Sequence, residues 1–262
     1  FYSSIEGYRK YECPPSELWQ NIWWKYFKAY ADYVGLIAYM NTRGVHVADI
    51  DLYCPITSAW AEITPTDTAG VDEIHTRFKE CSDLLLGSQR DFDYLGDDAI
   101  RAAEVEDGRL ILRGEEYRAV VISPVTVMAV DVMAKLAEFV RSGGVLVLCG
   151  EFPVQAVITG SDAELADILG SLIADPGRGV FARVPSVSDV LAALEPVAPD
   201  VILDPVHDTI NYLHRRVGET DIYFLANRDV EPHVFVAEFR SSGDPSFWNA
   251  EDATLAPVNE YQ

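Results

Sequence analysis

Long apolar runs are missing from this sequence. Nothing in its 262 residues approaches the roughly 18 consecutive apolar positions of a membrane-spanning helix, so no membrane partner is expected. Basic residues are scarce, 20 Lys and Arg against 42 Asp and Glu, which leaves a net charge of −22. Such a surface repels phosphate backbones and anionic bilayers, and nucleic acid is excluded as an expected partner. The four cysteines, Cys13, Cys54, Cys81 and Cys149, form neither a CxxC pair nor a metal-like spacing. Cys54 and Cys149 instead close apolar runs, where cysteine acts as a small buried hydrophobe. The phosphate-cradling patterns GxGxxG and GxxxxGKS/T are absent, and the glycines of DPGRG precede a strand rather than a helix, so nucleotide binding is not expected. No Asn-x-Ser/Thr acceptor and no signal-peptide pattern occur, which leaves cytoplasmic and secreted locations both open.

Hydrophobic residues make up 49% of the chain, ample for a core. The first 20 residues carry no period and read as a long loop. Asn21 is placed to cap a helix whose stripe runs through Trp23, Phe27, Tyr30, Val34 and Ile37, widened by Trp24, Ala31 and Ala38 and ended by Gly44. The width of that stripe predicts a broadly buried face.

From residue 46 strands and helices alternate. Strands are expected at VADIDLYC (47–54), FDYLG, residues 119–122, VLVLCG (145–150) and VFARV (180–184). Helical spacing appears at Val71, Ile74, Phe78, Cys81 and Leu85, and again at Val130, Met133, Ala137 and Val140. Thr126 is the expected cap of the second of these, and Gly143-Gly144 its stop. Ser161 and Glu164 read as a capping box before Leu165, Ile168, Leu169 and Leu172. Roughly five βα steps imply a parallel α/β sandwich of the flavodoxin-like or class I amidotransferase-like kind. After Pro205 the helices stop, and INYLHRRV, DIYFLANR and HVFVAEFR are spaced like consecutive antiparallel strands, the opening of a β-sandwich.

Several strings, taken in order, resemble the α-L-rhamnosidase-type enzymes of glycoside hydrolase family 106. FYSSIEGYRKYECPPSELWQNIWWKYFKAYADYVG resembles the segment that ends the family's catalytic (β/α)8 barrel, and HVADIDLYCPITSAWAE the strand and loop that follow. LLLGSQRDFDYL and YRAVVISPVTVM are similar to its next α/β domain, and INYLHRRVGETDIYFLANR to the start of its β-sandwich. The resemblance implies three parts: the barrel end at 1–45, an amidotransferase-like accessory domain at 46–205 and a partial β-sandwich at 206–262. It also implies a rhamnoside substrate, calcium somewhere in the full enzyme but no cofactor held here, and a chain that is an internal piece of a longer protein. Taken alone, the chain would then be inactive.

Sugar hydrolysis with inversion needs two carboxyl groups, one acid and one base that activates water, and barrels hold such groups at the C-terminal ends of their strands. On the barrel-end reading, Glu6 is the carboxylate nearest that face. Tyr2, Arg9 and Lys10 are its expected substrate-binding neighbours, and Trp60, in the loop PITSAWAE, is a further one. Against this, Glu6 on an ordinary charged loop, Trp60 as interface packing, and Trp19, Trp23 and Trp24 as core are the blander readings. The run Asp91, Asp93, Asp97, Asp98 is oxygen-rich, but it lacks the spacing of a calcium loop and reads as a solvated turn. His214, Arg215 and Arg216 read as surface ion pairs on a strand. Two rivals stand beside the hydrolase: a non-catalytic interaction module, and an amidotransferase-like enzyme using Cys149. The third lacks the G-x-C-x-G elbow and any histidine in a telling context.

Overall fold

The computed structural model describes residues 19, 22–259 and 261. They fall into two compact units, one formed by residues up to Arg43 together with those from Ser242 onward, the other by Gly44–Ser241.

The larger unit is organised on a five-stranded sheet: β1 (Ile50–Tyr53), β2 (Phe92–Asp93), β3 (Ala119–Ile122), β4 (Val145–Cys149) and β5 (Val180–Val184). All neighbouring pairs are parallel, and the order across the sheet is β5-β4-β3-β1-β2. This is the 2-1-3-4-5 order of flavodoxin-like sheets. Every residue of β1, β3 and β4 is buried, because helices cover both faces. On one face Tyr53, Val120, Ile122 and Leu146 pack with α5 (Val130–Ser142) and α6 (Asp162–Ala174) through Met133, Leu136, Leu165 and Leu169. On the other, Ile50, Leu52, Val121 and Val147 meet Cys81 and Leu85 of α3 (Ala69–Gly87) and the short helix at Val190–Ala193. Each such side chain contributes about 1.5–3 kcal/mol of burial, so the two apolar layers hold the sheet in place.

The five expected strands are all present, with β1 shorter than the 47–54 run. Gly143 ends α5 at φ +123°, and a Cβ on Gly144 would lie 2.3 Å from the Phe139 ring. Thr126 does not cap α5. Residues 127–128 are extended and pair with Gln155–Ala156, so the helix begins later, at Val130, with Ala129 before it. Ser161 does precede α6, but its side chain makes no capping bond.

Antiparallel strands complete this unit: β6 (Val201–Asp204), β7 (Ile210–Val217), β8 (Thr220–Asn227) and β9 (Val236–Phe239). β7 and β8 form a full-length hairpin around Gly218, and Val45–His46 adds a short third strand along β7. The expectation of three consecutive pairings fails at β9. The loop 228–235 carries the chain away, and β9 pairs with β6, from before Pro205. Val201, Leu203, Ile210 and Tyr212 form the shared core of these strands.

In the smaller unit, α1 (Phe27–Asn41) follows a single 3-10 turn, and two short strands, Ser246–Trp248 and Leu255–Pro257, pair antiparallel. The helical reading holds, but no residue of α1 is buried, contrary to the expected buried face. Its stripe is apolar without being covered. The cap assigned to Asn21 lies outside the described residues.

Candidate functional site

In doubly wound sheets of this order, ligands sit at the carboxyl ends of β1 and β3, where the strand order reverses. Here that position is filled from within. Helix α2 (Ile56–Glu62) follows β1 directly, and its Ser58 hydroxyl donates to the Val127 carbonyl at 2.8 Å while accepting from the N–H groups of Thr126 and Val127. The Tyr53 hydroxyl donates to Asp97, the first residue of α4 (Asp97–Ala102), and Thr57 donates to the same carboxylate at 2.9 Å. These groups bond one another, while the Ser123 hydroxyl, just past the end of β3, is buried without a hydrogen-bond partner among the described residues. PITSAWAE is therefore mostly helix rather than loop, and Trp60 stands on that helix with 71% of its surface exposed.

Within β1 lies Asp51, fully buried. One carboxyl oxygen accepts the Leu95 N–H at 2.9 Å, and the other has no partner. Burial raises its pKa well above the usual carboxylate range, and the Leu95 N–H offsets only part of that.

Two histidines carry the most elaborate polar arrangements among the described residues. His46 sits between carboxylates, Nε2 at 2.7 Å from Asp91 and Nδ1 at 2.9 Å from Asp93. Tyr117 donates to both Asp93 and Glu115, which closes the cluster. Burial alone would lower the His46 pKa, but the two aspartates outweigh it and raise it to about 10, so the ring is an imidazolium at neutral pH. Burial likewise opposes ionisation of Asp93, yet His46 and Tyr117 hold its pKa below the ordinary value. The second histidine, His214 on β7, is fully buried between Asp200 and Asp221, each at 2.9 Å. Asp221 also accepts from Ser241 and Arg216, and these donors outweigh burial to bring its pKa down to about 2. Both clasps tie the antiparallel strands to their surroundings by charge-assisted hydrogen bonds.

The acidic run expected to be one solvated turn is thus divided. Asp91 and Asp93 serve His46, Asp97 serves Tyr53 and Thr57, and Asp98 pairs with Arg101 at 2.9 Å. His46, Asp93 and Glu115 bring three ligating atoms within 4.8 Å of one another. Calcium, however, takes oxygen ligands, and both nitrogens of this imidazolium already face carboxylates. This cluster does not fit calcium.

Of the residues singled out from the sequence, Glu6, Tyr2, Arg9 and Lys10 lie outside the described residues. Trp19, Trp23 and Trp24 are exposed rather than core, at 68%, 44% and 42%, with Trp24 stacked on Phe27. His214 is buried rather than on the surface, while Arg216 keeps the expected exposed ion pair with Asp221. Cys149 is buried in the same core cluster as Cys81, and no hydrogen bond joins it to a described histidine, which leaves a thiolate enzyme without support. The clasps around His46 and His214 were missed. A faint signal existed in RDFD, where i, i+2 spacing puts Asp91 and Asp93 on one side of an extended chain.

Residues 18–262 match the family model described as alpha-L-rhamnosidase, glycoside hydrolase family 106. A curated protein of Formosa agariphila named "Putative beta-glucuronidase" is 25% identical over 241 residues, which is 90% of this chain and 19% of that protein. Among solved structures, a rhamnosidase from Novosphingobium sp. PP1Y shares the fold with a TM-score of 0.66 and 22% identity, over 92% of this chain and 23% of that one. The chain therefore spans about a fifth of the curated relative's length and under a quarter of the solved one. With the match running across nearly all of its residues, this chain belongs to glycoside hydrolase family 106, the α-L-rhamnosidase family.

Proposed function

We propose that the protein containing this chain hydrolyses terminal α-L-rhamnosides, using a carboxylate pair located mostly outside these 262 residues. The observation that carries this reading is the family match over residues 18–262. In this reading residues 1–45 border the mouth of a (β/α)8 barrel, where Glu6 is the carboxylate nearest the sugar and Tyr2, Arg9 and Lys10 bind hydroxyls or tune charge. The α/β unit acts as a non-catalytic support. The hydrogen bonds that Ser58, Tyr53, Thr57 and Asp97 make within the chain favour that role, since they engage most of the polar groups at the usual ligand position of such sheets. Calcium, if the full enzyme uses it, is held elsewhere than by the His46, Asp93 and Glu115 cluster. The substrate is a carbohydrate, and the remaining domains of the same protein are the partners of this part.

Hydrolysis of an aryl α-L-rhamnoside by the whole protein and by this chain alone tests the reading. Activity confined to the whole protein is the expected result. There, Glu6→Gln should lower kcat by at least about a hundredfold if Glu6 is the acid or base, since a positioned proton-transfer group contributes typically 10²–10⁴-fold. Cleavage by this chain alone would overturn the division of labour. Failure of the whole protein on rhamnosides but success on another glycoside would replace the sugar and keep the class.

A further inference from the structure

The larger unit contains a cleft of about 510 Å³ that the hydrolase reading leaves without a role. Its size is that of a small-ligand site, which typically spans about 300–1,000 Å³. On a chain of net charge −22, it gathers four of the 20 Lys and Arg residues, all of them arginine: Arg109, Arg118, Arg216 and Arg240. Two carboxylates, Asp49 and Glu116, share the lining with them, and Val45, Val47 and Ala198 supply apolar wall.

Three of the arginines are engaged. Arg240 spans Asp49 at 2.6 Å and Asp200 at 3.2 Å, Arg216 holds Asp221 at 2.7 Å, and Arg109 pairs with Glu116. Arg118 differs. Its single ion-pair contact is 3.5 Å from Nε to Asp49, and its two terminal nitrogens make no hydrogen bond to the described residues. The Arg118 side chain is 48% exposed and lines the cleft. Its base is fixed, because the Arg118 and Ala119 N–H groups donate to the Asp49 carbonyl at 2.7 and 3.0 Å. A planar two-pronged donor held in this way matches a carboxylate. Asp49 and Glu116 keep lone pairs beyond those their arginines use, and these accept from hydroxyl groups.

From this donor and acceptor set we propose that the cleft binds a small polyhydroxylated carboxylate, with its carboxylate on Arg118 and its hydroxyls on Asp49 and Glu116. An acid sugar and an acyclic hydroxy acid share this chemistry. The cleft defines the class by itself; only a preference for the sugar form would rest on the carbohydrate reading above.

Isothermal titration of the whole protein with glucuronate and with gluconate is the test, with glucose and inorganic sulfate as comparisons. We expect saturable binding of at least one carboxylate, weakening as salt rises, and none of glucose. Tighter glucuronate binding assigns the acid sugar, and tighter gluconate binding the acyclic hydroxy acid. Arg118→Gln should weaken binding by at least about tenfold, the loss of one charge-assisted hydrogen bond, while its melting temperature stays with the wild type. Arg109→Gln, at the opposite carboxylate, should weaken it less. No binding of either carboxylate at tens of millimolar, equal binding of sulfate or glucose, or an unchanged affinity in Arg118→Gln would overturn the proposal. Binding is read without turnover, so failure of rhamnoside hydrolysis leaves this test intact.

Discussion

Replacing His46 with leucine should destabilise the larger unit by several kcal/mol at neutral pH. The imidazolium lies 2.7 Å from Asp91 and 2.9 Å from Asp93, with a tenth of its side chain exposed. A proton held with a pKa of about 10 in the folded chain, against 6.5 for the free residue, is worth at most about 4 kcal/mol at pH 7. Desolvating three ionised groups offsets part of that. Removing the cation, however, also leaves two aspartates facing one another, and breaking such a pair costs about 3–5 kcal/mol. A loss of about 3 kcal/mol is the working figure. For a unit of 150–250 residues that is about 6–12 °C in Tm.

The sign with pH follows from the raised pKa. The contribution is fully present below 6.5 and is lost as pH rises through about 10. Tyr53, Tyr117, Tyr212 and Tyr223 stay protonated across that window, because burial pushes each of them above it. Thermal melts of wild type and His46→Leu from pH 7 to 10.5 should therefore converge as the wild type deprotonates. A variant within about 2 °C of wild type at pH 7, or a gap that does not narrow by pH 10.5, would refute the reasoning.

The α/β core was legible because its signals are local. Runs such as VVI at 120–122 and VLVLC at 145–149 can be buried on both faces only in a covered parallel sheet, and the stripe through Phe78, Cys81 and Leu85 does face that sheet. Pairing in the antiparallel part was less legible. Strand periodicity says that β9 is a strand, but not that the loop 228–235 delivers it to β6 instead of β8. The α1 stripe misled for a related reason: an apolar face states what a helix can bury, not what lies against it. The histidine clasps were hidden most completely. His46 and Asp91 are separated by 45 positions in sequence, and His214 by 14 from Asp200, so neither forms a local pattern. Arg118 and Asp49 likewise meet only because β1 and β3 are neighbours in the sheet.

Three further outcomes follow from the packing. Gly179→Ala places a Cβ 2.2 Å from both the Gly144 and Val140 carbonyl oxygens, and should cost about 1–3 kcal/mol in urea unfolding. Leu85→Ala, from a fully buried position on α3, should cost about 2–5 kcal/mol; in this chain Val34→Ala on the exposed α1 should stay within about 0.5 kcal/mol. The last concerns Asp51, whose raised pKa gives it the opposite role from a paired carboxylate. Its protonated form suits the folded state, so stability is full below the unfolded pKa near 3.8 and falls as pH rises towards the folded pKa. Asparagine keeps an acceptor for the Leu95 N–H and carries no titrating proton. Asp51→Asn should therefore gain on the wild type as pH increases, by at most about 1.4 kcal/mol per pH unit. Urea midpoints at pH 5, 6, 7 and 8 measure that gap directly. A constant gap would mean that Asp51 ionises in the folded chain as readily as in water, which a fully buried carboxyl with one unpartnered oxygen cannot do without admitting solvent.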